Sequence, residues 1–134
     1  MSWRVVLTCQ ALKKKHPAPI SKQMAECIFC QIAAGNAPAK IVYQDEHLVA
    51  FRDRAPKAAI HLLVITRKHI RNLDDLQMAD ADLISHLMMT LPRIARENGL
   101  TDGYRTVTNT GRGGRQEVCH IHFHLMGGGK LPAI

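Results

Sequence analysis

The chain has 134 residues, of which 46% are apolar and 4% aromatic, so it is long enough for one domain whose core is mainly aliphatic. Its formal charge of +7 is uneven, because residues 1–24 contain five basic and no acidic side chains, whereas the other 110 residues carry 13 basic and 11 acidic ones. The nearly neutral body argues against a nucleic-acid-binding domain, and no apolar run approaches the roughly 18 residues of a membrane span.

Residues 1–24 show no periodicity and are interrupted by Pro17 and Pro19, so we predict a basic N-terminal extension followed by one domain over residues 25–134. The acid-free composition also suits a mitochondrial targeting peptide, although arginine is sparse for one. No secretory signal is recognisable, so the cysteines are expected to be reduced. We expect a cytoplasmic protein, with mitochondrial targeting as the alternative.

The first half of the domain reads as a helix followed by three strands. A short helix is predicted over residues 27–34 and ends at Gly35. Strands over residues 41–44 and 48–52 flank a polar turn and form a hairpin. The nearly continuous apolar run at residues 60–66 predicts a central strand.

The second half contains the longest predicted element. Apolar residues recur at helical spacing over residues 80–98, where Pro92 should bend or locally unwind the helix rather than end it. A strand over 104–108, a glycine-rich loop over 109–117 and a last strand over 118–126 follow. Five strands with mostly hairpin-like links and one long helix predict an α+β layer architecture.

The last strand alternates polar and apolar residues strictly. This period places His120, His122 and His124 on one face, about 6 to 7 Å apart in succession. Imidazole is a nucleophile, a proton carrier and a metal ligand near neutral pH. The row predicts a functional site; the alternative is an ordinary amphipathic strand.

The glycine-rich loop leads directly into the histidine strand. Its glycines let backbone N–H groups turn toward an anion, and Arg112 and Arg115 add positive charge. By itself such a loop is more often a plain turn, but beside three histidines it predicts a phosphate cradle. A histidine that attacks phosphorus must be neutral with one ring nitrogen free, and loop donors would stabilise the charge on the phosphate oxygens.

Cys27 and Cys30 form a CxxC pair, which indicates a metal site or a redox pair. No thioredoxin-like strand precedes them, so the redox interpretation is poor. His69 and His120 would complete a tetrahedral zinc site, but eight histidines offer many other combinations. The alternative is that both thiols are small buried residues at a helix end.

Phe51 and Asp53 stand at the end of the second strand of the hairpin. An aspartate there could accept hydrogen bonds from ribose hydroxyls, and the phenylalanine could form one wall of a slot for a purine. A side chain that merely caps the strand end is the commoner explanation for such an aspartate.

The pattern His120-x-His122-x-His124-x-x, with apolar residues at every x, resembles the signature of the histidine triad (HIT) family. The resemblance runs from Cys27 to Gly129, about four-fifths of the chain. It includes the segments at residues 27–32, 39–45, 50–53, 61–65 and 68–70. The glycines after the last histidine are similar to the HINT branch, the histidine triad nucleotide-binding proteins, whereas Fhit-type dinucleoside polyphosphate hydrolases generally lack them.

The resemblance implies a HIT-like fold, in which a five-stranded antiparallel sheet carries one long and one short helix, and a homodimer. It also implies an adenosine 5'-monophosphoramidase type of hydrolase, which cleaves the P–N bond of purine nucleoside phosphoramidates through a covalent nucleotidyl-histidine. The implied ligand is a purine nucleotide such as AMP or GMP, not nucleic acid or membrane. The alternatives are a Fhit-like dinucleoside polyphosphate hydrolase and a non-enzymatic nucleotide-binding or scaffold protein.

Carried over by position, the middle histidine, His122, is the implied nucleophile, and His124 would contact the phosphate. His61 matches the histidine that pairs with the first triad member, His120. These four histidines are the implied catalytic set. Asp53 would hold the ribose.

The remaining implied contacts fall into a nucleotide set and a metal set. Nucleotide contacts beyond the histidines and Asp53 match Phe51, Asn109, Gln116, Glu117 and Val118. Where the family keeps CxxC, its zinc ligands match Cys27, Cys30, His69 and His120. The zinc would be structural and would fix His120, and no catalytic metal is implied.

Three positions depart from the family pattern. Glu117 replaces the serine that animal HINT proteins usually place near the leaving group, although bacterial relatives resemble this chain there. Arg115 occupies a position that is normally glycine. Pro92 lies in the helix that helps to build the family's dimer interface.

Overall fold

The computed structural model describes residues 24–134, so the predicted basic extension lies outside the described residues apart from Met24. Five antiparallel strands form one sheet in the order β1-β2-β3-β5-β4. They are β1 (Ile41–Gln44), β2 (Leu48–Arg52), β3 (Ile60–Thr66), β4 (Tyr104–Val107) and β5 (His122–Gly127). The five-stranded antiparallel α+β fold predicted from the sequence is confirmed.

Among the helices that lie entirely within residues 24–134, two are α-helices, α1 (Ile28–Ala33) and α2 (Ala81–Glu97). Short 3-10 turns at Leu73–Asp75 and Met78–Asp80 link β3 to α2. The Cys27 side chain caps α1 by accepting a hydrogen bond from the Cys30 N–H at 3.4 Å. Among residues 24–134 no helix is both long and apolar enough to cross a bilayer.

Helix α2 runs unbroken through Pro92, and the predicted local unwinding does not occur. A proline removes one backbone donor but leaves the rest of the ladder intact. Leu91 and Ile94 on either side are buried against the sheet, so packing holds this turn in helical geometry. The Thr90 hydroxyl also donates to the His86 carbonyl oxygen at 2.6 Å.

The last strand begins at His122, four residues later than predicted. The residues before it hydrogen-bond elsewhere, because the Ile121 N–H donates to the Ile70 carbonyl oxygen at 2.7 Å in the segment after β3. His120 therefore precedes the strand rather than belonging to it.

The two faces of the sheet pack against different helices. The α2 face contains a core that includes Leu62, Val64, Leu91, Phe123 and Leu125. The α1 face contains a smaller cluster with Phe29, Phe51, Leu63, Ile65 and Val118. Because side chains alternate along β5, the histidines lie on the α1 face while their apolar neighbours pack under α2.

Candidate active site and metal centre

The histidines converge at the centre of the α1 face. Strand β5 pairs with β3 so that His122 lies opposite Ile65 and His124 opposite Leu63. The ring centroids of His122 and His124 are 5.2 Å apart, and the centroid of Phe29 lies 5.1 Å from that of His122 with the two rings nearly perpendicular. The predicted placement of these two histidines on one face is therefore correct.

The tautomer of His122 follows from its backbone contact. Its Nδ1 lies 2.7 Å from the carbonyl oxygen of His120, and a carbonyl can only accept, so Nδ1 carries the proton. The lone pair is then on Nε2. Burial lowers the pKa of His122 and keeps the ring neutral. This is the state that a nitrogen nucleophile requires.

A chain of hydrogen bonds sets the proton on His124. The Lys57 N–H donates to His61 Nδ1 at 3.0 Å, so the His61 proton is on Nε2. That nitrogen lies 2.8 Å from His124 Nδ1 and donates to it, which leaves the proton of neutral His124 on Nε2. Burial lowers the pKa of His124 to about 4, so the ring is neutral near pH 7.

The pairing of His61 with the first triad histidine is wrong for this structure. His61 contacts the third, His124, because it lies one diagonal step from His124 in the β3–β5 ladder, where Leu63 is directly opposite. His120 lies before β5 and contacts the cysteine pair instead. Asp53 also contacts His61, because its Oδ2 lies 3.3 Å from Nε2 of that ring.

Four predicted metal ligands converge although they are distant in sequence. The sulfur and nitrogen atoms of Cys27, Cys30, His69 and His120 all lie within 4.8 Å of one another. Cys30 Sγ is 3.1 Å from His69 Nδ1, and Cys27 Sγ is 3.4 Å from His120 Nδ1. His120 Nε2 donates to the Thr66 carbonyl oxygen at 2.6 Å, so its Nδ1 presents a lone pair to the sulfurs.

The contact between the two thiols favours ionisation of Cys27 and disfavours ionisation of Cys30. A hydrogen bond from Cys30 holds the pKa of Cys27 well below its usual range, and the same contact raises the pKa of Cys30. Two adjacent thiolates repel unless a cation lies between them. Two sulfurs and two imidazole nitrogens are a donor set that suits tetrahedral zinc, so these residues fit the metal implied by the sequence.

A second cluster of potential ligands, Asp53, His61 and His124, has its donor atoms within the same 4.8 Å limit. Here the Lys57 N–H occupies His61 Nδ1, which forces the proton onto the Nε2 that a metal would need. The cluster is therefore suited to hold and orient protons rather than a metal ion.

A cavity of about 510 Å³ lies beside the end of β2, within the size range of small-molecule sites. Its lining contains Ile32, Pro38, Ala39, Lys40, Phe51, Arg52, Asp53 and Arg54. Asp53 caps the local turn by accepting from the Ala55 N–H at 2.8 Å, as a strand-end aspartate does, yet it also borders the cavity. Phe51 and Asp53 are thus brought to one pocket.

Gln116 holds the glycine-rich loop in place through its buried amide. Its Nε2 donates to the carbonyl oxygens of Arg71 and Val118 at 2.7 and 2.9 Å. Its Oε1 accepts from Asn72 Nδ2 and from the Gly111 N–H, both at 3.0 Å. The side-chain amide is fully engaged inside the protein, so Gln116 fixes the shape of the glycine-rich loop from within.

The rest of the loop is tight and partly strained. Asn109 Nδ2 donates to the Gly114 carbonyl oxygen at 2.6 Å, and a Cβ on Gly114 would lie 2.6 Å from the Thr110 oxygen. Arg115 has φ +60°, a left-handed conformation that favours glycine. Glu117 is exposed, and its side chain faces solvent.

Three contributors to this site could not be identified from the sequence. The Lys57 N–H and the Thr66 carbonyl oxygen act through the backbone, which carries no residue signature. Phe29 stands inside the CxxC pair and contacts both His120 and His122 edge-on. Its apolar position between the two cysteines was the one available signal.

Comparison with known proteins assigns the domain that carries this site to one family. Residues 26–130 match the family model described as the scavenger mRNA decapping enzyme C-term binding domain. Protein HitA of Neisseria gonorrhoeae is 46% identical over 104 residues, which are 78% of this chain and 97% of that protein. An uncharacterized HIT-like protein of Synechococcus elongatus is 47% identical over 79% of this chain and 93% of its own length.

Solved structures agree with these sequence matches. A HIT family hydrolase from Legionella pneumophila superposes with a TM-score of 0.76 at 43% identity, covering 79% of this chain and 96% of that one. A histidine triad protein from Clostridium difficile gives a TM-score of 0.78 at 41% identity, covering 81% and 96%. The range matched by the family model, residues 26–130, contains the whole described sheet and both α1 and α2.

Proposed function

Because the chain belongs to the histidine triad (HIT) family, we propose that it is a nucleotide hydrolase of the HINT type. Its substrates would be purine nucleoside phosphoramidates, in which AMP is joined to an amine through a P–N bond. The observation that carries this proposal is the complementary proton placement, with a free Nε2 on His122 and a proton on Nε2 of the adjacent His124.

The reaction needs two displacements at phosphorus. Nε2 of His122 attacks the α-phosphorus, the P–N bond to the amine breaks, and the amine leaves with the bonding electron pair and gains a proton from solvent. Water then forms a new P–O bond and gives up a proton to solvent, the bond between phosphorus and His122 breaks with its electron pair returning to Nε2, and AMP is released. The Nε2–H of His124 donates to a phosphate oxygen in both steps, and fixed donors supply most of the stabilisation.

The nucleoside would occupy the cavity beside β2. Phe51 would pack against the base, and the Asp53 carboxylate would accept from the ribose. Backbone N–H groups at Glu117 and Val118 would face the phosphate, while Asn109 and Gln116 hold the loop that presents them.

Zinc would act on this site through His120 alone. Cys27, Cys30, His69 and His120 would hold the ion, which supplies a structural cross-link between the start of α1, the segment after β3 and the approach to β5. The carbonyl oxygen of His120 orients the nucleophile by accepting from His122 Nδ1. A fixed His120 therefore keeps the attacking nitrogen in place.

A substrate comparison tests the reaction class. We expect kcat/KM for an adenosine phosphoramidate to exceed that for diadenosine triphosphate by at least about tenfold, a difference of about 1.4 kcal/mol in transition-state binding. The reverse preference would make the protein a Fhit-like dinucleoside polyphosphate hydrolase. Nucleotide binding without turnover of either compound would support the non-enzymatic alternative.

We also propose that the protein is a homodimer. Met88 and Met89 on α2 are exposed to 41% and 78%, and Tyr104 on the edge strand β4 to 39%. Exposed apolar side chains on α2 and on β4, the last strand of the sheet within residues 24–134, favour contact with a second copy, and the unbroken α2 keeps its exposed methionines in helical register. Light scattering should give about twice the 14.9 kDa of one chain. Met89→Glu should shift the mass toward the monomer, and a monomeric wild type would contradict the dimer.

A further inference from the structure

Two arginines of the glycine-rich loop have no part in the catalytic cycle described above. The Arg115 N–H donates to the Arg112 carbonyl oxygen at 3.0 Å, so these residues are the ends of a tight turn. A turn of this kind holds its end Cα atoms within about 7 Å. Both side chains are exposed, and over residues 24–134 neither guanidinium has a hydrogen-bond or ion-pair partner.

The conformation of Arg115 makes its presence there unexpected. At φ +60° a glycine would be free of strain. The chain therefore keeps a positive charge where the backbone favours a residue with no side chain. Two like charges on one exposed turn repel each other, and a bound anion would relieve that repulsion.

The turn lies on the far side of the triad from the nucleoside cavity. The cavity borders β2, His122 and His124 stand on β5 two strands away, and the loop follows β4, the last strand in the sheet order. The start of the loop is tied to the triad, because the Thr108 hydroxyl donates to the His122 carbonyl oxygen at 2.8 Å. With the nucleoside on the β2 side, an in-line leaving group departs toward the β4 side.

We propose that Arg112 and Arg115 form an anion-binding subsite for the leaving group, so that the preferred substrates are phosphoramidates whose amine carries a carboxylate. This inference rests on the proposed function and adds a substrate class to it. Guanidinium groups bind carboxylates through paired hydrogen bonds. Glu117 lies in the same loop, but among the described residues no ion pair joins it to either arginine, and the turn remains net positive.

The test compares two substrates of nearly equal size, AMP joined to β-alanine and AMP joined to β-alaninamide. They differ in one negative charge. We expect wild type to prefer the carboxylate by about 20-fold in kcat/KM at low salt, and each of Arg112→Gln and Arg115→Gln to reduce this ratio by about fivefold. The preference should also shrink as ionic strength rises.

Two control variants separate charge from structure. Arg115→Gly removes the guanidinium and relieves the backbone strain, so it should fold at least as well as wild type. Its preference for the carboxylate over the amide should nevertheless fall by the same factor of about five. Arg96→Gln removes an exposed charge on α2 and should leave the ratio unchanged. Turnover of the amide should change by less than about twofold in Arg96→Gln, and in the Arg112 and Arg115 variants it should fall less than turnover of the carboxylate does.

Calorimetry should also measure the affinity of both compounds for His122→Ala, alone and combined with each arginine variant. Because His122→Ala cannot turn the compounds over, this measurement tests the anion-binding subsite separately from catalysis. Turnover without an arginine-dependent preference would overturn the subsite and leave the phosphoramidase intact. Arginine-dependent binding without turnover in wild type would support the subsite and overturn the phosphoramidase. If the arginine variants slowed turnover of diadenosine triphosphate but left the carboxylate-to-amide ratio unchanged, the proposal that the subsite binds a carboxylate on the leaving amine would be overturned.

Discussion

Replacing His122 by alanine is expected to lower kcat/KM for an adenosine phosphoramidate by at least about 10⁴-fold, because no other group can form the covalent intermediate. The neighbouring histidines offer no substitute. The lone pair of His120 faces the sulfurs, and His124 accepts at Nδ1 from His61 and carries its proton on Nε2. The measurement is steady-state release of AMP, combined with mass spectrometry of rapidly quenched enzyme for a nucleotidyl adduct present only when His122 is present.

His47→Ala provides the matched control. His47 is an exposed histidine in the β1–β2 turn, away from the triad, so its loss should leave kcat/KM within about twofold of wild type. Wild-type turnover in His122→Ala would show that the nucleophile has been assigned wrongly. Circular dichroism of both variants would distinguish lost chemistry from lost folding.

The pH profile of the wild type provides a second check on the same assignment. Protonation at Nε2 removes the lone pair that attacks phosphorus, so kcat/KM falls on the acid side of the His122 pKa. Burial lowers that pKa, and it lowers the pKa of His124 to about 4. The acid limb should therefore lie below pH 6.5, with no loss of activity between pH 8 and 7. A decline already within that interval would contradict neutral, buried histidines.

Removing a zinc ligand is expected to have the second-largest effect, on stability as well as on activity. Wild type purified without chelator should contain one zinc per chain, and Cys30→Ser should contain little or none. Because metal binding to the folded state contributes directly to folding free energy, we expect the melting temperature of Cys30→Ser to fall by at least about 10 °C. Activity should also fall, because a released His120 no longer orients His122.

Ile28→Val is the matched control for the metal site. It changes the same helix by one methylene group without touching a ligand, so zinc content should stay at one per chain and the melting temperature should change by only a few degrees. Metal analysis and thermal unfolding measure both quantities. Wild type without zinc, or full zinc in Cys30→Ser, would support the alternative that these thiols are simply buried residues at a helix end.

The secondary structure could be predicted closely because its signals are local. The hairpin strands β1 and β2 and the central strand β3 have the predicted bounds, and α2 differs by one residue at each end. The last strand was placed too early because alternation alone cannot show where a residue hydrogen-bonds. Ile121 continues the alternating pattern, yet its N–H pairs with Ile70 outside the β3–β5 ladder.

The residues of the site could be predicted better than their partners. His122 and His124 share a face because the period of a strand is two residues, and the structure places them as expected. His61 was assigned to the wrong histidine, because cross-strand partners depend on register and only the β3–β5 pairing shows that it meets His124. Pro92 was expected to disturb α2, but burial of its neighbours outweighs one missing hydrogen bond.

The sequence by itself determined the strand and helix pattern, the shared face of the histidines and the family resemblance, because these depend on periodicity and on motif spacing along the chain. Only the tertiary structure decided which nitrogen of each histidine carries its proton. The groups that set those protons are the Lys57 N–H and the carbonyl oxygens of His120 and Thr66. Backbone groups are identical in every residue, so folding alone specifies which of them meets each ring.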